Sequence, residues 1–348
     1  MRSRCALYAH DGIGWTTLQS GCTYVHTVRV DDLLDAADVQ RALTAAHLYY
    51  VQDRTMEAIA RELGTSRSTV SRLLSRARAT GIVDIRIRSP FAAPQLLEQR
   101  LADSFGITAH VVPVPDDVSE VERLERVATA AAHLLGDLVQ SDATVGVAWG
   151  STTAAVSRRL TPKAVHDTTF VQLNGSGNNH TTGLLYASEI LSRFALAYGG
   201  SAQQFPVPAF FDDPRTKQAM WRERSTARIL AMHAAMDLVV FSVGSADSRV
   251  PSHVYAGGYL EPEELADLDA EGVVGDVGTV FYRLDGSTKG IALNDRASGP
   301  RFEVLRRVAR RVCVVSGVDK SDSLRGALAA RLVTELVIDE ATARALVD

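Results

Sequence analysis

The sequence contains no run of about 18 consecutive apolar residues, the length that a membrane-spanning helix requires. It has only three cysteines, Cys5, Cys22 and Cys313, and their spacing matches no metal-binding motif. Internal repeats and low-complexity tracts are lacking as well. These absences argue against a membrane span, a disulfide framework and a repeat architecture, and the scarcity of cysteine favours the reducing cytoplasm.

The charge is distributed unevenly along a chain of ordinary globular composition. The 348 residues are 46% apolar and exceed one typical domain, so we expect two or three domains. The net charge is −4, yet eight arginines and three acidic residues between Arg54 and Arg88 give that stretch +5, which leaves −9 for the rest. A basic segment on an acidic protein indicates that one part meets a polyanion, although arginines also decorate solvated helices.

The first 34 residues are expected to be an extension without a stable fold. They show no sustained helical period, and they lack the apolar core and cleavage site of a signal peptide. One interpretation is that this segment precedes the natural start of translation.

Residues 35–88 have the pattern of a helix-turn-helix domain. A first helix is predicted over 38–52, with Val39, Leu43, Ala46 and Tyr50 on one face. Two further helical patterns flank Gly64, where the turn requires a positive φ. Ala60 lies at the expected helix crossing. The residues expected to pack the two helices together are Ile59, Leu63, Val70, Leu73 and Leu74.

The outer face of the last of these helices carries the residue types that bind DNA. Arginines reach guanine edges or phosphates, serines can contact either, and Thr65 or Ser66 can cap the helix. The strand predicted over 82–88 would form a wing beside the groove, with Arg76 and Arg78 nearer to phosphates. A helical hairpin without a ligand remains the alternative. The predicted DNA-binding residues are Thr65, Ser66, Arg67, Ser68, Ser71, Arg72 and Arg76.

After a linker predicted over 89–94, apolar strands alternate with amphipathic helices through 95–348. This alternation predicts an α/β domain with a mainly parallel, Rossmann-like sheet that helices cover on both faces. The predicted strands are 110–114, 144–149, 169–174, 203–207, 237–243, 311–317 and 335–339. The predicted helices are 95–105, 119–140, 152–160, 183–198, 217–235, 300–310 and 320–330.

Four turns rich in glycine, serine and threonine follow predicted strands. They are Gly150–Thr153, Gln172–Asn179, Phe241–Arg249 and Val314–Ser323. The carboxyl ends of parallel strands share one edge, where such folds bind ligands, so we expect one pocket. The first turn opens a helix and suits a phosphate or carboxylate, but it lacks the lysine of a P-loop. Polar turns of this kind favour a hydroxylated, anionic small molecule.

Several charged residues of this domain have two interpretations. Lys320 is either a phosphate partner or a solvated surface lysine. Asp247, Asp276 and Asp285 can accept hydrogen bonds from sugar hydroxyls, although Asp285-Gly286 is equally typical of a β-turn.

No tight constellation of histidine and carboxylate residues is apparent, because His166, His180, His233 and His253 are scattered. A ligand-gated DNA-binding regulator is therefore favoured over a sugar-phosphate isomerase or deaminase with an accessory basic domain. A constitutive DNA binder would leave the four turns unexplained. We predict no catalytic residue, no metal and no cofactor.

The stretch YYVQDRTMEAIARELGTSRSTVSRLLSRARATGIVDIRI closely resembles the N-terminal domain of the SorC/DeoR-type sugar-binding transcriptional regulators of bacteria. VGVAWGSTTAAV, FVQLNGSG, GVVGDVGTVFYRLDG, LNDR and the C-terminal stretch from Val304 to Leu346 resemble the effector domain of that family. The resemblance spans about residues 38–348, with Ser316 as a departure where the family often has glycine.

This resemblance implies an effector domain with a phosphosugar isomerase/CoA-transferase-like fold. It implies a homodimer or homotetramer that binds a palindromic double-stranded DNA operator and responds to a sugar or sugar phosphate. In the family, the positions matching Ser151-Thr152-Thr153, Asn174-Gly175, Asp276 and Lys320 surround the effector. The predicted effector-binding residues are Gly150, Ser151, Thr152, Thr153, Asn174, Gly175, Asp247, Asp276 and Lys320.

Overall fold

The computed structural model describes residues 30–83, 93–181, 183–246, 248–249 and 252–347. The chain divides into two compact units, with the boundary between Ile85 and Arg86. Most of the predicted extension, wing strand and linker lies outside the described residues. Among the described helices, none is long and apolar enough to cross a membrane.

The N-terminal unit is helical. Its elements are α1 (Val30–Ala46), a π-helical turn (His47–Val51), α2 (Met56–Glu62) and α3 (Arg67–Ala79). α1 begins at Val30, so residues 30–34 belong to a helix rather than to the extension predicted over 1–34. Leucine and alanine, which are frequent in this segment, have high helix propensity.

The turn between α2 and α3 has the predicted chemistry. Gly64 adopts φ +61°, and the side chain of Ser66 caps α3 by accepting a hydrogen bond from the amide of Thr69 at 3.2 Å. The predicted contacts between the helices are confirmed. Ile59, Val70, Leu73 and Leu74 are buried in one cluster, and Leu63 packs against it.

The predicted apolar face of the first helix is confirmed at Ala46, which is buried, and at Tyr50, which packs against the core, but it is wrong at Val39 and Leu43. Val39 and Leu43 are 39% and 47% exposed, whereas Ala42 and Ala45 are completely buried. α1 packs against α3. Small alanine side chains let two helix backbones approach closely, so Ala42 and Ala45 face the core while Val39 and Leu43 are turned toward solvent.

The C-terminal unit contains, in its described part, a parallel seven-stranded sheet and a two-stranded antiparallel hairpin. The strands of the sheet are β1 (Thr108–Val112), β2 (Thr144–Val147), β3 (Thr169–Gln172), β4 (Ser201–Gln203), β5 (Leu238–Phe241), β8 (Arg310–Val315) and β9 (Glu335–Asp339). Their order is β1-β9-β8-β5-β2-β3-β4. Each predicted strand overlaps one of them, which confirms the predicted fold class.

Helices cover the sheet, and two apolar clusters fill the space on its faces. The longer helices are α4 (Ala93–Phe105), α5 (Glu120–Leu138), α6 (Ser151–Arg159), α7 (Leu184–Tyr198), α8 (Pro214–Arg222), α9 (Arg224–Ala234), α11 (Pro262–Ala270), α13 (Ser321–Ala329) and α14 (Glu340–Val347). The shorter ones are α10 (His253–Ala256), α12 (Phe302–Leu305) and 3₁₀ turns at Ala292–Asp295 and Val318–Lys320. The single helix predicted over 217–235 is two helices that meet at Glu223.

The hairpin of β6 (Val273–Val277) and β7 (Val280–Arg283) was not predicted. Its two strands are short, and Gly275 interrupts the apolar pattern of the first. The sequence therefore shows no apolar pattern long enough to indicate a strand. The hairpin places Asp276 at the carboxyl edge of the parallel sheet.

A buried carboxylate fixes the loop that follows β8. Asp339, at the end of β9, is completely buried and lies 3.3 Å from the Arg123 guanidinium. It also accepts hydrogen bonds from the Gly317 amide at 3.0 Å and the Thr342 hydroxyl at 2.6 Å. Since Gly317 begins the turn that carries Lys320, this network positions that lysine.

We predict that Asp339→Ala lowers the free energy of unfolding by about 3–5 kcal/mol, because it leaves the buried Arg123 with only Glu120 at 3.5 Å and removes the acceptor of the Gly317 amide and the Thr342 hydroxyl. The control is Asp322→Ala, which removes a 72% exposed side chain paired with Arg325 and should cost less than about 1 kcal/mol. Urea unfolding followed by circular dichroism measures both. Equal losses in the two variants would contradict a central role for Asp339.

Candidate functional site

A pocket lies at the carboxyl edge of the sheet in the C-terminal unit, with about 460 Å³ of empty volume that includes open solvent. All four predicted turns contribute to it, together with the β6–β7 hairpin and the start of α10. The residues that line it are Ala148, Trp149, Gly150, Ser151, Thr152, Thr153, Asn174, Ser242, Val243, Gly244, Ser252, His253, Val254, Asp276, Gly278, Thr279 and Lys320.

The N-terminus of α6 forms one side of the pocket. The first amides of a helix have no partner within the helix, and they carry the positive end of its dipole. Here the N-cap is Gly150, which supplies no side chain to occupy those amides. The hydroxyl of Thr153 bonds instead to the Gly150 carbonyl at 3.1 Å. The amides of the first turn of α6 can therefore meet an anion.

Lys320 supplies a second positive group. Its side chain is only 3% exposed, which excludes the solvated surface lysine considered above. Burial lowers the pKa of its ammonium group, and the nearby Asp319, Cys313 and Asp276 oppose that shift. Within the described residues, the ammonium group makes no hydrogen bond or ion pair. A buried cation without such a partner is well suited to an anionic ligand group.

Asp276 is the acidic group of the pocket. Burial raises its pKa from 3.8 to about 6, while the Thr279 amide and the Lys320 charge act in the opposite direction. Its Oδ2 atom accepts a hydrogen bond from the Thr279 amide at 2.9 Å. Its Oδ1 atom is buried and has no hydrogen-bond partner in the part of the chain that the structure describes. Oδ1 can therefore accept a hydrogen bond from a ligand hydroxyl.

Close backbone packing places Asp276 in the pocket. The backbone of Gly244 pairs with that of Asp276. A Cβ atom at position 244 would lie 1.9 Å from the Asp276 Oδ1 atom, so any larger residue there would displace this carboxylate.

Asn174 offers a further unsatisfied acceptor. Its side-chain Oδ1 atom is buried and, as far as the described residues extend, unpartnered. Its carbonyl is held by the Gln172 amide group at 2.8 Å and by the Trp149 indole N–H at 3.2 Å. Trp149 stacks on Tyr259 with ring centroids 5.1 Å apart, which fixes the indole itself. The loop is therefore rigidly placed while the oxygen of its side chain is left available.

The structure brings together seven of the nine predicted effector-binding residues, namely Gly150, Ser151, Thr152, Thr153, Asn174, Asp276 and Lys320. Gly175 lies beside the pocket without lining it, since its amide bonds to the Ser298 hydroxyl and its carbonyl accepts from Trp149. Asp247 lies outside the described residues. Asp285 bonds to the Ser287 amide in an exposed turn, as its β-turn interpretation predicted.

Sequence reasoning missed several pocket residues. Ser252 and His253 belong to the start of α10, a helix too short to show a period. Trp149 and Thr279 stand beside predicted residues, so proximity in sequence was the signal that could have found them. His253 lies at the rim of the pocket. The residue as a whole is exposed, but partial burial of its ring lowers the pKa of the imidazole.

The outer face of α3, in the N-terminal unit, is exposed to solvent. Arg67, Ser68, Ser71 and Arg72 are all exposed, as predicted, and Thr65 is half-buried in the turn. Arg76 is half-buried and pairs with Asp38 of α1 at 3.0 Å. The pair anchors Arg76 toward α1, and the predicted contacts of the seven residues with DNA stay predictions.

Each of the two units matches a known protein family. Residues 89–348 match the family described as "Putative sugar-binding domain", and residues 45–80 match "Sigma-70, region 4". The chain is 34% identical over 318 residues to the deoxyribonucleoside regulator of Bacillus subtilis (strain 168), covering 90% of this chain and 99% of that protein.

Two solved structures share the fold. A domain of "a possible sugar-binding transcriptional regulator" from Arthrobacter aurescens TC1 is 55% identical, with TM-score 0.70, and the match covers 75% of this chain and all of that one. The full-length sorbitol operon regulator SorC from Klebsiella pneumoniae is 27% identical, with TM-score 0.73, covering 89% of this chain and 99% of that one.

A helix-turn-helix unit joined to a Rossmann-like domain with a polar pocket defines a ligand-responsive transcriptional regulator. The chain belongs to the SorC/DeoR-type family of sugar-binding transcriptional regulators. The relatives are regulators rather than enzymes, so the comparisons do not support the alternative of an isomerase or deaminase with an accessory basic domain.

The raised pKa of Asp276 predicts a pH-dependent stability. Folding disfavours the ionised form, so the penalty is absent below the ordinary pKa of 3.8, grows as the pH rises and is complete above about 6. Asp276→Asn removes this penalty. Relative to the wild type, we expect the variant to gain roughly 3 kcal/mol of unfolding free energy between about pH 3.5 and pH 7. Urea titrations at both pH values measure this gain.

The control for this prediction is Asp269→Asn, which replaces an exposed aspartate of α11. It should show no comparable gain. A difference between Asp276→Asn and the wild type that stays constant with pH would refute the expected linkage.

Proposed function

We propose that this protein controls transcription of genes for carbohydrate or polyol catabolism, in response to a small sugar or sugar phosphate bound in the C-terminal pocket. Two of its relatives are named for deoxyribonucleosides and sorbitol, which supports an effector of this class. The observation that carries the proposal is the pairing of a helix N-terminus without a side-chain cap and buried Lys320 with two side-chain oxygens that have no partner among the described residues.

Each part of this arrangement suits one part of such a ligand. A phosphate or carboxylate would accept hydrogen bonds from the amides of Ser151, Thr152 and Thr153 and from the Lys320 ammonium group. Sugar hydroxyls would donate to Asn174 Oδ1 and Asp276 Oδ1, whose burial without partners is otherwise costly. The ligand thus satisfies groups that the unliganded protein leaves unsatisfied.

The DNA-binding surface in this proposal is the exposed face of α3. Arg67 and Arg72 would contact base edges in the major groove, with Ser68 and Ser71 beside them. Thr65, Ser66 and Arg76 would contact phosphates, which position the helix without selecting a sequence.

Control by the effector requires linkage between the two sites. We propose a homodimer or homotetramer that acts on a palindromic operator in the cytoplasm, with paired α3 helices spaced to match the two half-sites. An effector that favours one arrangement of the oligomer changes operator affinity by the coupling free energy, typically about 1–3 kcal/mol.

The ligand assignment predicts that Lys320→Met weakens effector binding without unfolding the protein. Sugar phosphates, free sugars and polyols would be screened by the rise in melting temperature that they cause in the wild type. For a ligand found in this way, the affinity should fall at least about tenfold in the variant, because a charge-assisted hydrogen bond is lost.

The melting temperature of unliganded Lys320→Met should be unchanged or higher, since a desolvated charge is removed. The matched control is Lys289→Met, which alters an exposed lysine outside the pocket and should bind the ligand normally. Full affinity in Lys320→Met, or a wild-type protein that responds to none of these compounds, would refute the assignment.

The DNA assignment predicts that Arg67→Ala and Arg72→Ala each weaken binding to a duplex that the wild type selects from a random pool. We expect a loss of roughly ten- to a hundredfold for each arginine that reads a base. Arg344→Ala, which removes an exposed arginine of α14 paired with Glu340, is the control and should bind normally. Unchanged affinity in both α3 variants, measured by fluorescence anisotropy, would rule out this face.

A further inference from the structure

A contact between α2 and α3 lies on the exposed face of the helix-turn-helix. Glu57, in the first turn of α2, places its carboxylate Oε1 atom 3.1 Å from the Nε atom of Arg67, the first residue of α3. Both side chains are more than half exposed, at 57% and 66%. The pair therefore lies where α3 would meet DNA, and it is not part of the helical core.

The position of Glu57 determines which N–H donors of the Arg67 guanidinium can still bind DNA. A guanidinium group is planar and carries five N–H donors in a fixed fork. The Glu57 carboxylate lies beside the Nε atom in an ion pair, and the Nη1 and Nη2 groups make no hydrogen bond or ion pair with any residue that the structure describes. The outer Nη1–Nη2 edge, which can donate two parallel hydrogen bonds to guanine O6 and N7, is left free.

A carboxylate on this face would weaken DNA binding if charge were its only effect, because phosphates repel it. Glu62 provides an internal comparison at the other end of α2. It is also exposed, but within the described residues it has no charged or hydrogen-bonding partner. The two glutamates thus carry the same charge on the same helix, and only Glu57 holds an arginine of α3.

We propose that Glu57 is a positioning residue that orients the Arg67 guanidinium so that its Nη1–Nη2 edge reads a guanine of the operator. This proposal rests on the proposed function of α3 as the DNA-reading helix. Holding the side chain in one orientation before binding reduces the conformational entropy that binding must remove. Glu57 therefore increases discrimination at one base pair, although its charge opposes binding to DNA in general.

The test compares sequence selection by the full-length wild type with that of Glu57→Gln, Glu57→Ala, Arg67→Ala and the matched control Glu62→Gln. Each protein selects duplexes from a random pool. The base pair at which Arg67→Ala loses its preference for guanine, by roughly ten- to a hundredfold, identifies the position that Arg67 reads. Affinity for a fixed non-specific duplex measures the effect of charge alone, and circular dichroism confirms folding.

We expect both Glu57 variants to lose about two- to fivefold of the guanine preference at that position and none elsewhere, a size typical of an exposed ion pair. Their affinity for non-specific DNA should rise. In the Arg67→Ala background, Glu57→Gln should cause no further loss of preference, and Glu62→Gln should keep full preference throughout.

An undiminished guanine preference in both Glu57 variants overturns the proposal, since Glu57 would then act only through its charge. An equal loss of preference in Glu62→Gln overturns it as well. If Arg67→Ala keeps every base preference, Arg67 reads no base and this proposal fails, while α3 can still read DNA through Arg72. If the wild type selects no sequence at all, the assignment of α3 fails and this proposal fails with it.

Discussion

The seven strands of the large sheet run in one direction, and the pocket depends on that constraint. Parallel strands place every turn that follows a strand at the same edge, so residues as distant in sequence as Gly150 and Lys320 line one pocket. The buried Asp339 holds this edge together by bonding to Arg123, to Gly317 and to Thr342. The Gly317 bond fixes the start of the turn that carries Lys320, so the position of that cation depends on the sheet.

The pocket combines features that weaken a folded protein on its own. Lys320 is buried without an ion pair among the described residues, the burial of Asp276 raises its pKa, and Asn174 Oδ1 lacks a donor. Each feature costs free energy in the absence of a ligand. Their concentration at one edge of the sheet is typical of a binding site, where groups needed for binding are retained although they lower the stability of the folded protein. A phosphorylated or otherwise anionic polyol is the kind of molecule that would offset all three.

Much of the fold could be predicted from the sequence, because the buried strands are continuous apolar runs and the helices between them are amphipathic. The four polar turns predicted most of the pocket, since topology alone brings such turns together. The hairpin that carries Asp276 was missed because its strands are short and include a glycine. The burial of Lys320 could not be predicted either, since it depends on packing between distant segments. On α1, periodicity identified a helix but missed Ala42 and Ala45 in its buried face, because alanine stripes are weak hydrophobic signals.

The two units differ in how their polar groups are prepared for binding. In the C-terminal pocket, two oxygens and an ammonium group have no partners among the described residues, so a ligand would gain interactions that those residues do not make with one another. In the N-terminal unit, Arg67 already has a partner in Glu57, and Arg76 has one in Asp38, so side chains are oriented before DNA arrives. Unsatisfied buried groups give affinity for a small ligand, whereas oriented exposed groups give discrimination between DNA sequences at little cost in stability. An effector needs to change operator affinity by only about 1–3 kcal/mol to regulate it. That amount is comparable to one well-oriented arginine contact, so a small shift in the position of α3 relative to the bases is enough to change operator affinity.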